Sequence, residues 1–296
     1  IKNGYLVAER YFNDAYVDMA PSVASVTKSF TSALTGLALR DGHLISLDQK
    51  MVDFFPELDW AGTDLRKGDI TIRQMLQMRS GYPAEAVGGY LDELMAYDFD
   101  WIPVLIDFPL TNEPGTAFGY SSLTSHMLAV ILARASGTDL YTFARINLLD
   151  PLECGQVYWP ADLRGYYVGH GDVCMRPRDM AKFGLLYLNG GVYKGTQIIP
   201  ADWVTESLTP YSHDVYGGDP LDYMTNISYG YLWWTAEAGG HGIKLARGFG
   251  GQLIVIVPDL DMVVVTSALI TNLWDPESST RSKAIQEMVG KFISSQ

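Results

Sequence analysis

Residues 250–270, GGQLIVIV, PDLD and MVVVTSALI in succession, limit the possible folds more than any other part of the chain. Two aliphatic, β-branched runs flank a short turn containing Pro258 and Asp259, the pattern of an antiparallel hairpin. Both runs are almost wholly apolar, so neither face of the hairpin is expected to meet water, and its expected place is the centre of a sheet. An antiparallel hairpin argues against a parallel nucleotide-binding sheet. No GxxxxGK or GxGxxG stands between a strand and a helix.

The rest of the chain supplies layers for that sheet. STRSKAIQEMVGKFISS near the C-terminus aligns Ile285, Met288, Val289 and Phe292 as one apolar stripe, a helix suited to cover it. GYLVAERYF near the N-terminus reads as a further strand. In between, TIRQMLQMRSG, SSLTSHMLAVILARASG and RDMAKFGLLYLNGG show helical periodicity and each ends at glycine, as a C-terminal cap would. The simplest arrangement is an α/β domain from residues 1–65 and 225–296 with a central antiparallel sheet. A mostly helical region, 66–224, is inserted, with the active site between the two.

Composition removes several function classes. With a formal net charge of −13 and its Lys and Arg dispersed, the surface repels phosphate backbones, so no nucleic-acid partner is expected. No apolar run approaches the roughly 20 residues a membrane span needs. Cys154 and Cys174 carry no CxxC spacing; free thiols are the expectation, with pairing left open. The five histidines include no HExxH pair, and no metal site is expected. The chain does not begin with Met, so an upstream segment, including any signal peptide, is expected to have preceded it. Secreted, periplasmic and cytoplasmic locations all stay open.

Chemistry enters at PSVASVTKSFTSALTGLAL, residues 21–39. Phe30, Leu34, Leu37 and Ala38 mark the buried face of a helix that begins near Ser25. Residues i and i+3 share a helix face, so Lys28 is placed to touch the Ser25 hydroxyl. Burial and a helix N-terminus both disfavour an ammonium, and free amides there suit an oxyanion. A solvated surface charge remains the alternative, because a Ser-x-x-Lys spacing arises readily by chance.

Other segments decide how that spacing is read. SVTKSF (25–30), GHLISLDQKMVDFFPEL (42–58), ITIRQMLQMRSGY (70–82) and EPGTAFGYSS (113–122) come in order, followed by RDMAKFGLLYLNGGVYKGTQIIPADWV (178–204), YGYLWW (229–234) and GFGGQLIVIVP (248–258). Together they resemble the serine β-lactamase and penicillin-binding-protein superfamily, above all its class C branch with the β-lactamase-like esterases and 6-aminohexanoate-dimer hydrolases. The resemblance implies a β-lactamase/transpeptidase-like α/β (α+β) fold, an antiparallel sheet flanked by helices with a mostly helical insertion. It also implies a cofactor-free serine hydrolase acting through an acyl-enzyme on a small ester or amide. β-Lactamase or D,D-peptidase activity and a non-catalytic ligand-binding domain are the alternatives.

By the same resemblance Ser25 is the nucleophile, Lys28 its proton-transfer partner and Tyr120 the tyrosine of a Tyr-x-Asn element. Ser122 stands where asparagine often sits. Relatives that bind β-lactams usually carry Lys-Thr-Gly beside the nucleophile; here Ala246, Arg247 and Gly248 occupy those positions, so the lysine is missing. The amides of Ser25 and Phe249 would hold the oxyanion. Gly248 and Gly250 either let substrate approach the strand or serve a hairpin or bulge. His170, in VGHGD (168–172), is a candidate pocket contact. Of Trp233 and Trp234, one is expected in the core and Trp234 is the candidate wall of the acyl cleft.

Overall fold

Five antiparallel strands, each beside its neighbour in sequence, make the sheet: β1 (Thr225–Tyr229), β2 (Trp234–Ala238), β3 (His241–Gly248), β4 (Gln252–Val257) and β5 (Met262–Thr266). The computed structural model describes residues 1–85, 89–96, 100–215, 223–270 and 276–296. The hairpin forms as expected, with Val257 opposite Met262 and Leu253 opposite Thr266. Its position is only half as expected. Every residue of β4 is buried, but β5 is the outermost named strand and Val264–Thr266 are half-exposed.

Beyond β5 the sheet meets the first residues of the chain. Ile1 exchanges hydrogen bonds with Val263, and Lys2 bridges Met262. The expected N-terminal strand does not form. Asn3 and Gly4 adopt φ of 51° and 78°, and Lys2 and Tyr5 bond each other across them. Asn-Gly is the sequence that favours such a tight reversal. The chain therefore leaves the sheet at once, and Tyr5, Leu6, Val7 and Phe12 are exposed.

Of four longer helices, α1 (Thr27–Arg40), α3 (Pro177–Leu188) and α4 (Pro276–Ser294) pack on the sheet, and α2 (Ser122–Ser136) packs on α1. Helix α1 is central, buried at every residue from Thr27 to Ala38, including the expected face of Phe30, Leu34, Leu37 and Ala38. A helix buried all round must satisfy its polar side chains. Two hydroxyls of α1 do so by tying in loops: Ser29 donates to Leu232 O at 2.8 Å and Thr31 to Gly169 O at 2.8 Å, while Thr35 bonds back to Thr31 O. Helix α3 lies directly on β4 and β5 because Gly184 has no side chain; a Cβ there would stand 2.6 Å from Val263 and 2.7 Å from Ile254. Phe30 stacks on Phe183 at 3.9 Å between centroids, and Trp233 packs on Tyr187 at 4.5 Å, locking α1, α3 and the sheet together. Such pairs add about 0.5–1.5 kcal/mol each beyond the area they bury.

Two helix expectations need correction. Helix α4 turns Met288 and Phe292 to solvent; its buried face runs through Ser278, Ser282, Gln286, Val289 and Ile293. The Gln286 amide donates to Ser282 O and Oγ, so polar residues pack where an apolar count finds no stripe. The helix expected over TIRQMLQMRSG spans only Ile72–Leu76, and Met78 takes a left-handed φ of 53° well before Gly81. Helix α2 stops as expected at Gly137, with φ of 68°.

Candidate active site

Ser25 lies in a 3₁₀ turn, Ala24–Val26, that runs straight into α1. Ala24 is held at φ of 47°, a left-handed conformation unusual for a residue with a Cβ. The turn is tied down on its outer side: Ala24 N donates to Ser22 Oγ, and Ser22 Oγ donates to Asp172 Oδ1 at 3.0 Å. Val23 N donates to Val173 O at 2.7 Å, clamping the turn to the segment that follows His170.

Lys28, one helical turn on, is 1% exposed, and its amine has three oxygens around it. Nζ stands 3.0 Å from Ser25 Oγ, 3.1 Å from Ser122 Oγ and 2.8 Å from the His170 carbonyl. Ser122 begins α2, whose first turn is capped by Ser121. The carboxylate of Glu85 accepts from Ser122 N at 2.5 Å, and Glu85 N donates to Tyr120 O at 2.9 Å, which fixes this corner.

Tyr120 meets the cluster through its ring. The Lys28 amine lies 4.7 Å from the ring centroid, and the other side of the corner stacks on Trp234 at 5.4 Å and 28°. The Tyr120 hydroxyl has no hydrogen bond among the described residues. Trp234 in turn receives the Arg247 guanidinium at 5.8 Å, whereas Trp233 sits in the core beside Tyr187 and Phe183.

The end of β3 abuts the Ser25 turn. A Cβ on Gly248 would lie 2.4 Å from Val23 O and 3.2 Å from Ala24 Cβ, so only glycine allows this approach. Phe249 follows it at the turn into β4. Gly250 has φ of 79° and packs on Ile270, a conformational need of the hairpin. Ala246 is fully buried and shares the strand face of Gly248, while Arg247 projects from the opposite face. No cation therefore occupies the position where relatives carry the lysine of Lys-Thr-Gly.

His170 reaches Lys28 through its carbonyl; the residue is half-buried, with its ring 4.5 Å from that of Trp101 and 5.6 Å from that of His126. Burial, with His126 and Lys28 nearby, holds its imidazole well below the ordinary range. Glu85, Ser22, Asp172 and His126 were not singled out from the sequence. For His126 a signal existed: it stands four residues after Ser122, on the same face of α2. Cys154 and Cys174 are free thiols. Among the described residues no helix is long and apolar enough to cross a membrane.

Comparison with known proteins agrees with this architecture. "Beta-lactamase-like protein 2" of Dictyostelium discoideum is 24% identical over 275 residues, 82% of this chain and 48% of the relative, so the chain spans about half of that protein. The 6-aminohexanoate-dimer hydrolase of Paenarthrobacter ureafaciens is 24% identical over 282 residues, 90% of this chain and 70% of the relative. A solved structure from Bacillus anthracis, described as a 6-aminohexanoate-dimer hydrolase, superimposes with a TM-score of 0.76 at 22% identity, covering 100% of this chain and 78% of its own, and shares the fold. The family model described as "Beta-lactamase" matches residues 1–288, nearly the whole chain. The chain therefore belongs to the Beta-lactamase family.

Proposed function

We propose that this chain cleaves esters or linear amides through an acyl-enzyme, with Ser25 as nucleophile and Lys28 as the base that takes its proton. One observation carries the reading: the buried Lys28 amine, with no ion pair among the described residues, has Ser25, Ser122 and the His170 carbonyl as its three oxygen partners. A neutral amine offers two N–H donors and one lone pair. Directed to Ser122 Oγ and the His170 carbonyl, the donors leave the lone pair for the Ser25 hydroxyl.

In this mechanism Ser25 Oγ bonds to the substrate carbonyl carbon as its proton passes to Lys28. The amides of Ser25 and Phe249 hold the oxyanion. The bond to the leaving alcohol or amine then breaks, and Tyr120 relays the proton to it. Water attacks the acyl-enzyme and releases the acid. The buried Ala246 favours an acyl group that brings no carboxylate to that strand, hence an ester or linear amide rather than a β-lactam. Arg247, Ser122 and Trp234 form the acyl and leaving-group walls, while Gly248 and Gly250 let the end of β3 lie against the Ser25 turn and the hairpin close. The reaction lies between a sheet unit, 1–65 with 225–296, and a mostly helical unit, 66–224, whose helix α3 leans on the sheet.

The test is a panel of p-nitrophenyl esters, aminohexanoate oligomers, D-amino-acid amides and nitrocefin, run on the wild type and Ser25→Ala. Short-chain ester turnover that vanishes in the variant, with a fluorophosphonate adduct on Ser25 in the wild type, supports the reading. Equal rates in the two proteins refute it.

A further inference from the structure

Behind Lys28 lies a pair of buried titratable side chains for which the proposed reaction has no use. His126 Nε2 stands 3.0 Å from Asp162 Oδ2, and both side chains are 1% exposed. The other Asp162 oxygen accepts the amides of Arg164 and Tyr166, each at 2.8 Å, contacts that favour the ionised carboxylate, which only accepts. His126 must then carry its proton on Nε2, which leaves Nδ1 as a lone pair. That lone pair faces a donor: Gly169 N points at His126 Nδ1 at 3.3 Å.

Gly169 is the residue before the carbonyl that holds Lys28. Its own carbonyl accepts from Thr31 on α1 at 2.8 Å, and the preceding Val168 carbonyl accepts from Trp159 at 2.7 Å. A Cβ at Gly169 would lie 2.5 Å from both Ser125 O and Ala129 Cβ, so the segment is pressed flat against α2. The backbone leading to the His170 carbonyl is thus pinned at two successive peptides, Val168–Gly169 from α2 by His126 and Gly169–His170 from α1 by Thr31. The edge of the His126 ring also meets the His170 ring at 84°.

We infer that His126, with its tautomer set by Asp162, is a positioning residue that acts with Thr31 to hold the Val168–His170 backbone so that the His170 carbonyl keeps Lys28 against Ser25. The inference rests on the reading of Ser25 and Lys28 as the reacting pair. It assigns none of the three side chains a contact with substrate, so its mark is a loss in kcat without a change in substrate binding.

Three variants test it, each first checked by circular dichroism and thermal melting. His126→Gln keeps a donor toward Asp162 but has no acceptor where Nδ1 stood; His126→Asn keeps an acceptor for the Gly169 amide. Thr31→Val removes the anchor from α1 and carries the test if a His126 variant does not fold. Because a reacting group misplaced by about 1 Å costs about a hundredfold, His126→Gln and Thr31→Val are expected to lose about tenfold or more in kcat on a p-nitrophenyl ester. Their KM should stay within about twofold, and His126→Asn should regain most of the lost rate. Wild-type kcat in both His126→Gln and Thr31→Val, a loss confined to KM, or equal impairment of the Asn and Gln variants overturns the inference. A wild type that never acylates Ser25 instead overturns the hydrolase reading beneath it.

Discussion

Ser122 Oγ stands 3.1 Å from Lys28 Nζ although 94 positions separate them in the chain. The first turn of α2 meets the first turn of α1 there. A hydrogen bond between neutral groups is worth about 0.5–1.5 kcal/mol net, so Ser122→Ala should lower kcat/KM on a p-nitrophenyl ester by about 2- to 10-fold. Ser122→Asn, which restores an oxygen, should lose less. Steady-state kinetics on both variants checks the order.

Lys28→Arg keeps a basic side chain but not the chemistry. A guanidinium does not release its proton in a protein, and its fork cannot fit among three oxygens arranged for an amine. Removal of a general base typically costs about 10²–10⁴-fold, and the variant should fall in that range for fluorophosphonate labelling of Ser25, measured by intact-protein mass. Labelling at the wild-type rate would mean that something other than Lys28 activates the serine.

Gly248→Ala should damage stability and rate together. The new Cβ would stand 2.4 Å from the Val23 carbonyl, a backbone atom that cannot swing aside. Overpacking of this kind costs about 1–3 kcal/mol, measurable as a lower urea midpoint. Any shift of Val23–Ala24 to accommodate it also moves Ser25. By contrast, a Cβ on Gly42 would meet nothing within 4 Å, and the cost of Gly42→Ala is confined to the φ of 74° at that position.

His170 makes the fold sensitive to acid. Its ring stays neutral in the folded protein, chiefly through burial and then through His126 and Lys28, whereas the unfolded chain takes up a proton below its ordinary value of 6.5. Stability from this group is therefore complete above pH 6.5 and declines as the pH falls below it, by up to about 1.4 kcal/mol per pH unit. Thermal melts between about pH 8 and about pH 5 should show that decline, and His170→Phe should flatten it while keeping the ring against Trp101. A variant whose curve matches the wild type would assign the decline to other groups.

Local rules made part of this molecule legible. The spacing of Phe30, Leu34, Leu37 and Ala38 gave a buried helix, and the three-residue step from Ser25 to Lys28 gave a 3.0 Å contact. Gly137 ended α2 as its sequence implied. What escaped had no side-chain signature or the wrong one. The carbonyl of His170 is a main-chain atom, indistinguishable in sequence from every other. On α4, Ser278, Ser282 and Gln286 are buried and hydrogen-bonded, so counting apolar residues turned the helix toward Met288 and Phe292. At the N-terminus the apolar run hid the Asn3–Gly4 reversal, which was written in plain turn residues. Arg247 and Trp234 are brought together by strand pairing, which no short window can reveal.

The left-handed backbone at Ala24 sets two demands against each other at one position. A residue with a Cβ gives up about 1–2 kcal/mol to stay there, and glycine would recover much of that while adding freedom to the unfolded chain. Ala24→Gly is thus a route to a tougher protein whose reactive hydroxyl is less firmly aimed. Directed evolution for heat resistance would be drawn to this spot, and selection for turnover would push it back.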